Sequence, residues 1–184
     1  MGTVHSTGEN FDEESIRKFS HFDSEDVRRW SISFQKAFPT GYLSQSDLEK
    51  LFLTFFPFGS PKKFTAILFT TINISGTEMI DFHELLISFS ILTKGSSFEK
   101  LRWMFRFYDR DNDGVVSKEE MRIVAQAVYD MVGSTFDLNL DIKEMIDLIF
   151  LELENESGFL TFDDFKSLSE KKSKLFKMLT IFGD

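Results

Sequence analysis

Apolar residues along the chain recur at helical spacing, broken by short polar stretches. Phe98, Leu101, Phe105 and Tyr108 share one face, and Met121, Val124, Ala125, Val128, Met131 and Val132 return at i, i+3, i+4 spacing after an acidic interruption. That pattern predicts helix, loop, helix. A single unit of this kind cannot bury its own apolar face, so the same frame is expected elsewhere. An apolar residue two places after the turn position marks it at Leu43, Ile80, Val116 and Leu160, and the residue just past each loop is again apolar at Leu48, Leu85, Met121 and Phe165. The expectation is an all-α protein of four helix–loop–helix units in two paired lobes. Short antiparallel β links should join the loops within each pair. Residues 1–94 form the N-terminal lobe with units one and two and the N-terminal segment; residues 95–184 hold units three and four and a C-terminal helix.

The third loop carries the chemistry. Asp109-Arg-Asp-Asn-Asp-Gly-Val-Val-Ser-Lys-Glu-Glu120 fits the calcium loop of an EF-hand at every ligand position. Calcium takes six to eight oxygens. Asp109, Asp111 and Asp113 supply carboxylates, Val115 its backbone carbonyl, Ser117 a hydroxyl or a bridged water, and Glu120 a bidentate carboxylate, with Gly114 for the sharp turn. The bland reading of such a stretch is a solvated acidic turn, but helical flanks and the complete ligand set favour the ion. The other three loops are defective. The first, framed as Lys36 to Asp47, has a cation at position 1, Phe38 at position 3 and Pro39 within it. The second, Asn73 to Glu84, keeps Ser75, Thr77, Asp81 and Glu84 but places Glu78 where the turn wants glycine, at an expected steric cost. The fourth has two registers: counting back from Gly158 starts it at Leu153, whereas starting from Glu154 leaves it one residue short, and Asp164 is a shorter arm at its end.

Composition narrows the functional class. Among 184 residues, 21 basic against 30 acidic side chains give a formal charge of −9, which argues against nucleic acid as a partner and suits cation binding. The absence of cysteine excludes disulfides and thiolate metal sites and fits the cytosol. No apolar run approaches the ~18 residues of a membrane span. Twenty-three phenylalanines against 3 tyrosines and 2 tryptophans exceed the needs of a small core, so some rings are expected to face a partner.

Phe55-Phe-Pro-Phe-Gly-Ser-Pro-Lys-Lys-Phe64, a first loop broken by Pro39, and Lys100-Leu-Arg-Trp-Met-Phe-Arg-Phe-Tyr-Asp109 together resemble the frequenin branch of the neuronal calcium sensor family, from about Phe22 to the end. Members of that branch usually have working second, third and fourth loops, and this chain departs from them there. The resemblance implies a two-lobed helical regulator, N-myristoylated and membrane-tethered. It would act on membrane enzymes or receptors, phosphatidylinositol 4-kinase among them, by taking a helical segment into an apolar groove. Trp30, Phe34, Leu51, Phe52, Phe55, Phe82, Leu85 and Phe89 match the family's groove positions. The ordinary alternative is that these rings are core.

Met1-Gly2-Thr-Val-His-Ser6 fits the acceptor pattern for N-myristoylation at Gly2. A single acyl chain anchors only marginally, so a second membrane signal is expected, with Arg17, Lys18, Arg28, Arg29, Lys62 and Lys63 as candidates. Leu175, Met178, Leu179 and Phe182 would let the C-terminal segment occupy the groove as an internal stand-in for a target. Catalysis finds no support: His83-Glu-Leu-Leu-Ile87 lacks the second histidine of a zinc-protease helix, and there is no nucleophile elbow or phosphate loop. The expected protein is a monomeric, cytosolic calcium sensor on a membrane face. A calcium buffer or a calcium-indifferent membrane scaffold is the alternative.

Overall fold

The computed structural model describes residues 20–132 and 141–171, and helices dominate that span. The order is α1 (Ser24–Ala37), β1 (Tyr42–Leu43), α2 (Gln45–Phe55), α3 (Lys62–Ile72), β2 (Ile80–Asp81), α4 (Phe82–Lys94), α5 (Ser97–Tyr108), β3 (Val116–Ser117), α6 (Lys118–Val132), α7 (Ile142–Glu152), β4 (Phe159–Leu160) and α8 (Phe162–Glu170). Two antiparallel links pair Leu43 with Ile80 and Val116 with Leu160. All four marker residues of the repeat therefore meet in pairs, each at most 2% exposed. Period-two strands point successive side chains to opposite faces, so these four enter the core while Tyr42 and Phe159 point out.

Each helix after a loop begins in the same way. Ser44 with Asp47, Asp81 with Glu84 and Thr161 with Asp164 form capping boxes, in which the first side chain accepts from the third residue's N–H and the acid returns to the first residue's N–H. Ser117 and Glu120 exchange the same pair of bonds, at 3.2 and 2.8 Å. The acid at the end of every loop is thus also the acid of a capping box. Upstream, Asp23 caps α1 by accepting from Glu25 and Asp26, and Phe22 before it packs with Val27 one turn on, the pairing of a hydrophobic staple.

Rings join the two halves. Phe64 of α3 and Phe107 of α5, each 1% exposed, stand 5.7 Å apart, and Phe107 stacks on Trp103 at 5.7 Å. Buried side chains of both halves form one apolar core. A second joint is polar. The turn between α2 and α3 lies on the end of α6, where the Ser60 N–H donates to the Asp130 carbonyl at 2.7 Å and Lys63 pairs with the Asp130 carboxylate at 3.1 Å. Gly59 permits that approach, since a Cβ there would lie 1.7 Å from the Met131 carbonyl oxygen.

Gly59→Ala must therefore push the turn off α6. The expected cost is about 2–3 kcal/mol, in the range of overpacked cores, measured by urea unfolding. A stability unchanged from wild type would show that the joint yields freely.

Candidate metal centre and apolar pocket

The third loop is shaped by its own backbone N–H groups. Asp109, at the end of α5 and 8% exposed, accepts from Asp113 and Gly114 N–H, both at 3.1 Å. Asp113 turns to the Val115 N–H at 3.0 Å. Glu120 accepts from Arg110 N–H at 2.9 Å through one oxygen, and from the Ser117 N–H and hydroxyl at 2.8 and 2.7 Å through the other. Left-handed backbone at Asn112 (φ 58°) and Gly114 (φ 89°) folds the loop back on itself. One carboxylate oxygen each from Asp109, Asp111 and Glu120 lies within 4.8 Å of the others.

Like charges so placed oppose one another. Burial first, and then the charges of Asp113 and Glu120, hold the Asp109 carboxyl above its ordinary range against the N–H bonds from Gly114 and Asp113. For Glu120 burial acts upward, but the bonds from Ser117, Arg110 and Asp111 together outweigh it, and its carboxyl stays below the usual range. The donor set is all oxygen: four carboxylates, the Val115 carbonyl and the Ser117 hydroxyl. It fits a hard divalent cation of calcium's size and excludes soft metals.

The other loops depart from this arrangement. In the first, α1 continues through Lys36 and ends at Ala37, so the predicted first ligand position is still helix. The loop is short, turned by Gly41 (φ +80°), and Asp47 is consumed by Ser44. In the second, Glu78 does not take the left-handed conformation: outside glycine only Asn112 and Glu154 do so among the described residues. The expected strain at Glu78 is avoided because Gly76 (φ +68°) makes the turn two places earlier. The Thr77 hydroxyl donates to the Met79 carbonyl at 2.6 Å, Asn73 binds the Thr77 carbonyl through its amide, and Glu84 accepts from Ser75 and Asp81 N–H at 2.8 and 3.2 Å.

The fourth loop settles its register. Glu154 takes φ 53°, its N–H donates to Leu151, and the Asn155 N–H donates to Phe150, which is a Schellman ending of α7. With Gly158 at φ +80° and Leu160 opposite Val116, the first position is Leu153. The Ser157 hydroxyl and the Asn155 amide both donate to the Phe159 carbonyl at 2.9 Å. Loops two and four thus share a device: a hydroxyl at the fifth position satisfies the seventh-position carbonyl, the one that a cation would otherwise draw on.

Of the eight predicted groove residues, Trp30, Phe34, Phe82, Leu85 and Phe89 line one apolar pocket of about 350 Å³ between α1 and α4, together with Leu86. Leu51 and Phe55 are exposed on α2 away from its lining, and Phe52 packs between Phe56 and Phe64. Phe22 closes one flank, with its ring 4.6 Å from Trp30 and 5.6 Å from Phe89. Beside it the His21 N–H donates to the Ser90 hydroxyl at 2.7 Å, and the His21 ring lies 3.6 Å from the Glu99 carboxylate. The sequence reading passed over Phe22 and Leu86. The staple of Phe22 around the Asp23 cap was the available sign of the first; Leu86 had none, because α4 is apolar on most of its surface. Gly2 and the C-terminal residues 175–182 lie outside the described residues.

A family profile for an EF-hand domain pair matches residues 98–170. The chain is 31% identical over 172 residues to Neuronal calcium sensor 1 of Lymnaea stagnalis, covering 91% of this chain and 90% of that protein. The chain belongs to the neuronal calcium sensor family. Its resemblance to the frequenin branch is consistent with that match. As a neuronal calcium sensor it is a calcium-sensing regulatory protein, from a family that is generally non-enzymatic.

In this sensor, calcium at about a hundredfold over its Kd should raise unfolding stability by about 2.7 kcal/mol. Glu120→Gln should weaken binding by more than about 100-fold through loss of the bidentate charge, erase that gain and keep the helical signal. Titration calorimetry paired with urea unfolding checks both. Undiminished calcium heat from the variant would remove loop three as the principal site.

Proposed function

We propose that this sensor binds one calcium ion in loop three and regulates a membrane-associated protein by capturing an apolar helical segment of it. The observation that carries this reading is the pocket lined by Trp30, Phe34, Phe82, Leu85, Leu86 and Phe89, concave, apolar on every wall and rimmed by rings. Phosphatidylinositol 4-kinase is the target class suggested by the frequenin resemblance, with a receptor tail as the other. The protein acts as a monomer on the cytosolic face of a membrane, attached through an acyl chain on Gly2.

The residues themselves suggest the route from ion to pocket. Bound calcium supplies the charge that offsets the four carboxylates of loop three. Glu120 lies in the first turn of α6, so turning its side chain inward draws the start of that helix with it. The far end of α6 is bonded to the Ser60 turn, which leads into α3 and loop two. On the other side, α5 enters loop three and carries Phe107, whose ring meets Phe64 of α3 at 5.7 Å. Both connections end on helices of the N-terminal half. One ion makes a shallow lever, since a tenfold change in calcium shifts a two-state balance by at most about 1.4 kcal/mol.

Binding of an amphipathic helical peptide, followed through Trp30 fluorescence, tests the pocket. Phe89→Ala should weaken capture roughly tenfold, as loss of a buried ring anchor does, and chelator should weaken the wild type. Capture that ignores chelator would favour a constitutive scaffold instead. Separately, Gly2→Ala should shift the protein from membrane to soluble fractions in flotation, and equal recovery of the two would discard the acyl anchor.

A further inference from the structure

The α2–α3 turn exposes rings that the pocket does not use. Phe58 is 79% exposed and Phe55 69%, with Leu51 at 46% beside them on α2. Slack does not explain this. Pro57 and Pro61 restrict the turn, the Gly59 N–H donates to the Phe56 carbonyl at 3.2 Å, and the Ser60 N–H is bonded to Asp130 at 2.7 Å. Phe56 faces inward and stacks on Phe52, while the backbone, pinned on both sides, holds Phe58 out. Neither Phe55 nor Phe58 lines the apolar pocket.

The charges around them are unlike those of the rest of the molecule. The chain carries −9 overall, yet residues 50–77 contain no Asp or Glu and three lysines, Lys50, Lys62 and Lys63. Helix α3 starts right after the turn with no side-chain cap and no acid in its first turn, where Lys62 and Lys63 stand instead. Helix N-termini favour anions, so two cations at an uncapped end oppose the helix dipole. Lys50 is offset by Asp47 and Lys63 by Asp130, which leaves Lys62 to extend the positive end of α3 four residues after Phe58. Apolar rings projecting next to an uncapped positive helix end suit an anionic lipid surface, with the rings among the upper acyl chains and the N–H groups and Lys62 at the phosphates.

We propose that the Phe55–Lys62 turn is a membrane-docking wedge for anionic phospholipid bilayers, the second attachment that a single acyl chain needs. This rests on the membrane association in the proposed function, and it is tested where the acyl chain cannot contribute. A second copy of this acidic chain would meet net repulsion, whereas exposed rings next to Lys62 suit a lipid surface of opposite charge.

The experiment uses the full chain carrying Gly2→Ala and vesicles of phosphatidylcholine with or without phosphatidylserine. Sedimentation should recover protein on the phosphatidylserine vesicles only. Adding Phe58→Ser should lower the bound fraction roughly fivefold, as expected for one ring withdrawn from the boundary, and Lys62→Glu should act similarly while raised salt weakens all binding. Phe58 is exposed, so the variants should unfold at the wild-type urea midpoint. In a third variant, Phe58→Trp, brominated lipid should quench the added tryptophan. Equal recovery of parent and variants, no recovery of the parent, or an unquenched Trp would overturn the proposal. So would a vesicle-independent dimer that Phe58→Ser dissolves, or loss of helical-peptide capture in that variant with vesicle binding intact. Failure here leaves the Gly2 comparison in acylated protein untouched, so the two readings fail separately.

Discussion

Everything in this fold hangs on the carboxylate that ends each loop. It must close a helix start and, where the loop is live, hold an ion. In all four units that acid accepts the N–H of the residue three places before it, which fixes the first turn of the exiting helix and the exit angle of the chain. The same bond occurs in all four loops, whatever ligands stand beside it. The capping acid does this structural work whatever ligand set surrounds it: Asp47 and Asp164 cap their helices in loops whose donor sets depart from that of loop three.

What separates the loops is the supply of charge against the supply of neutral donors. Loop three crowds four carboxylates around a few N–H groups, and Asp109 shows the resulting tension in its raised carboxyl. Loops two and four place Asn, Ser and Thr at the corresponding positions. Those side chains both donate and accept, so they can satisfy the seventh-position carbonyl and one another without an ion. A carboxylate can only accept. Hydroxyls and amides in place of acids thus let these loops satisfy their own carbonyls from within.

The joint between the halves links the third unit to the N-terminal half at two points. A ring contact between Phe64 and Phe107 and a backbone bond between Ser60 and Asp130 tie α3 to both helices of the third unit. The glycine at 59 matters because the approach is closer than any side chain allows. Helix α6 is thereby tied to the half that carries the apolar pocket, and the same pinned turn presents its outer rings to the surroundings.

Much of this was legible in the chain itself. Helical periodicity, the recurring apolar marker and the unbroken ligand pattern from Asp109 to Glu120 are local signals, and local signals survive without knowledge of the fold. They determined the fourfold repeat and the pairing of Leu43 with Ile80 and of Val116 with Leu160, and they single out Asp109 to Glu120 as the loop with a complete ligand pattern. Tertiary structure decided what depends on where a helix stops and what it meets. Lys36 stayed helical because α1 ends at Ala37, Glu78 escaped strain because Gly76 turned the chain first, and the fourth register followed from a Schellman ending that needs Glu154 left-handed. The phenylalanines make the same point: Phe52, Phe55 and Phe58 are alike in sequence, yet one is packed and two are exposed. Backbone direction at a turn pinned by the distant Asp130 made that division, and no pattern within the segment encodes a contact 70 residues away.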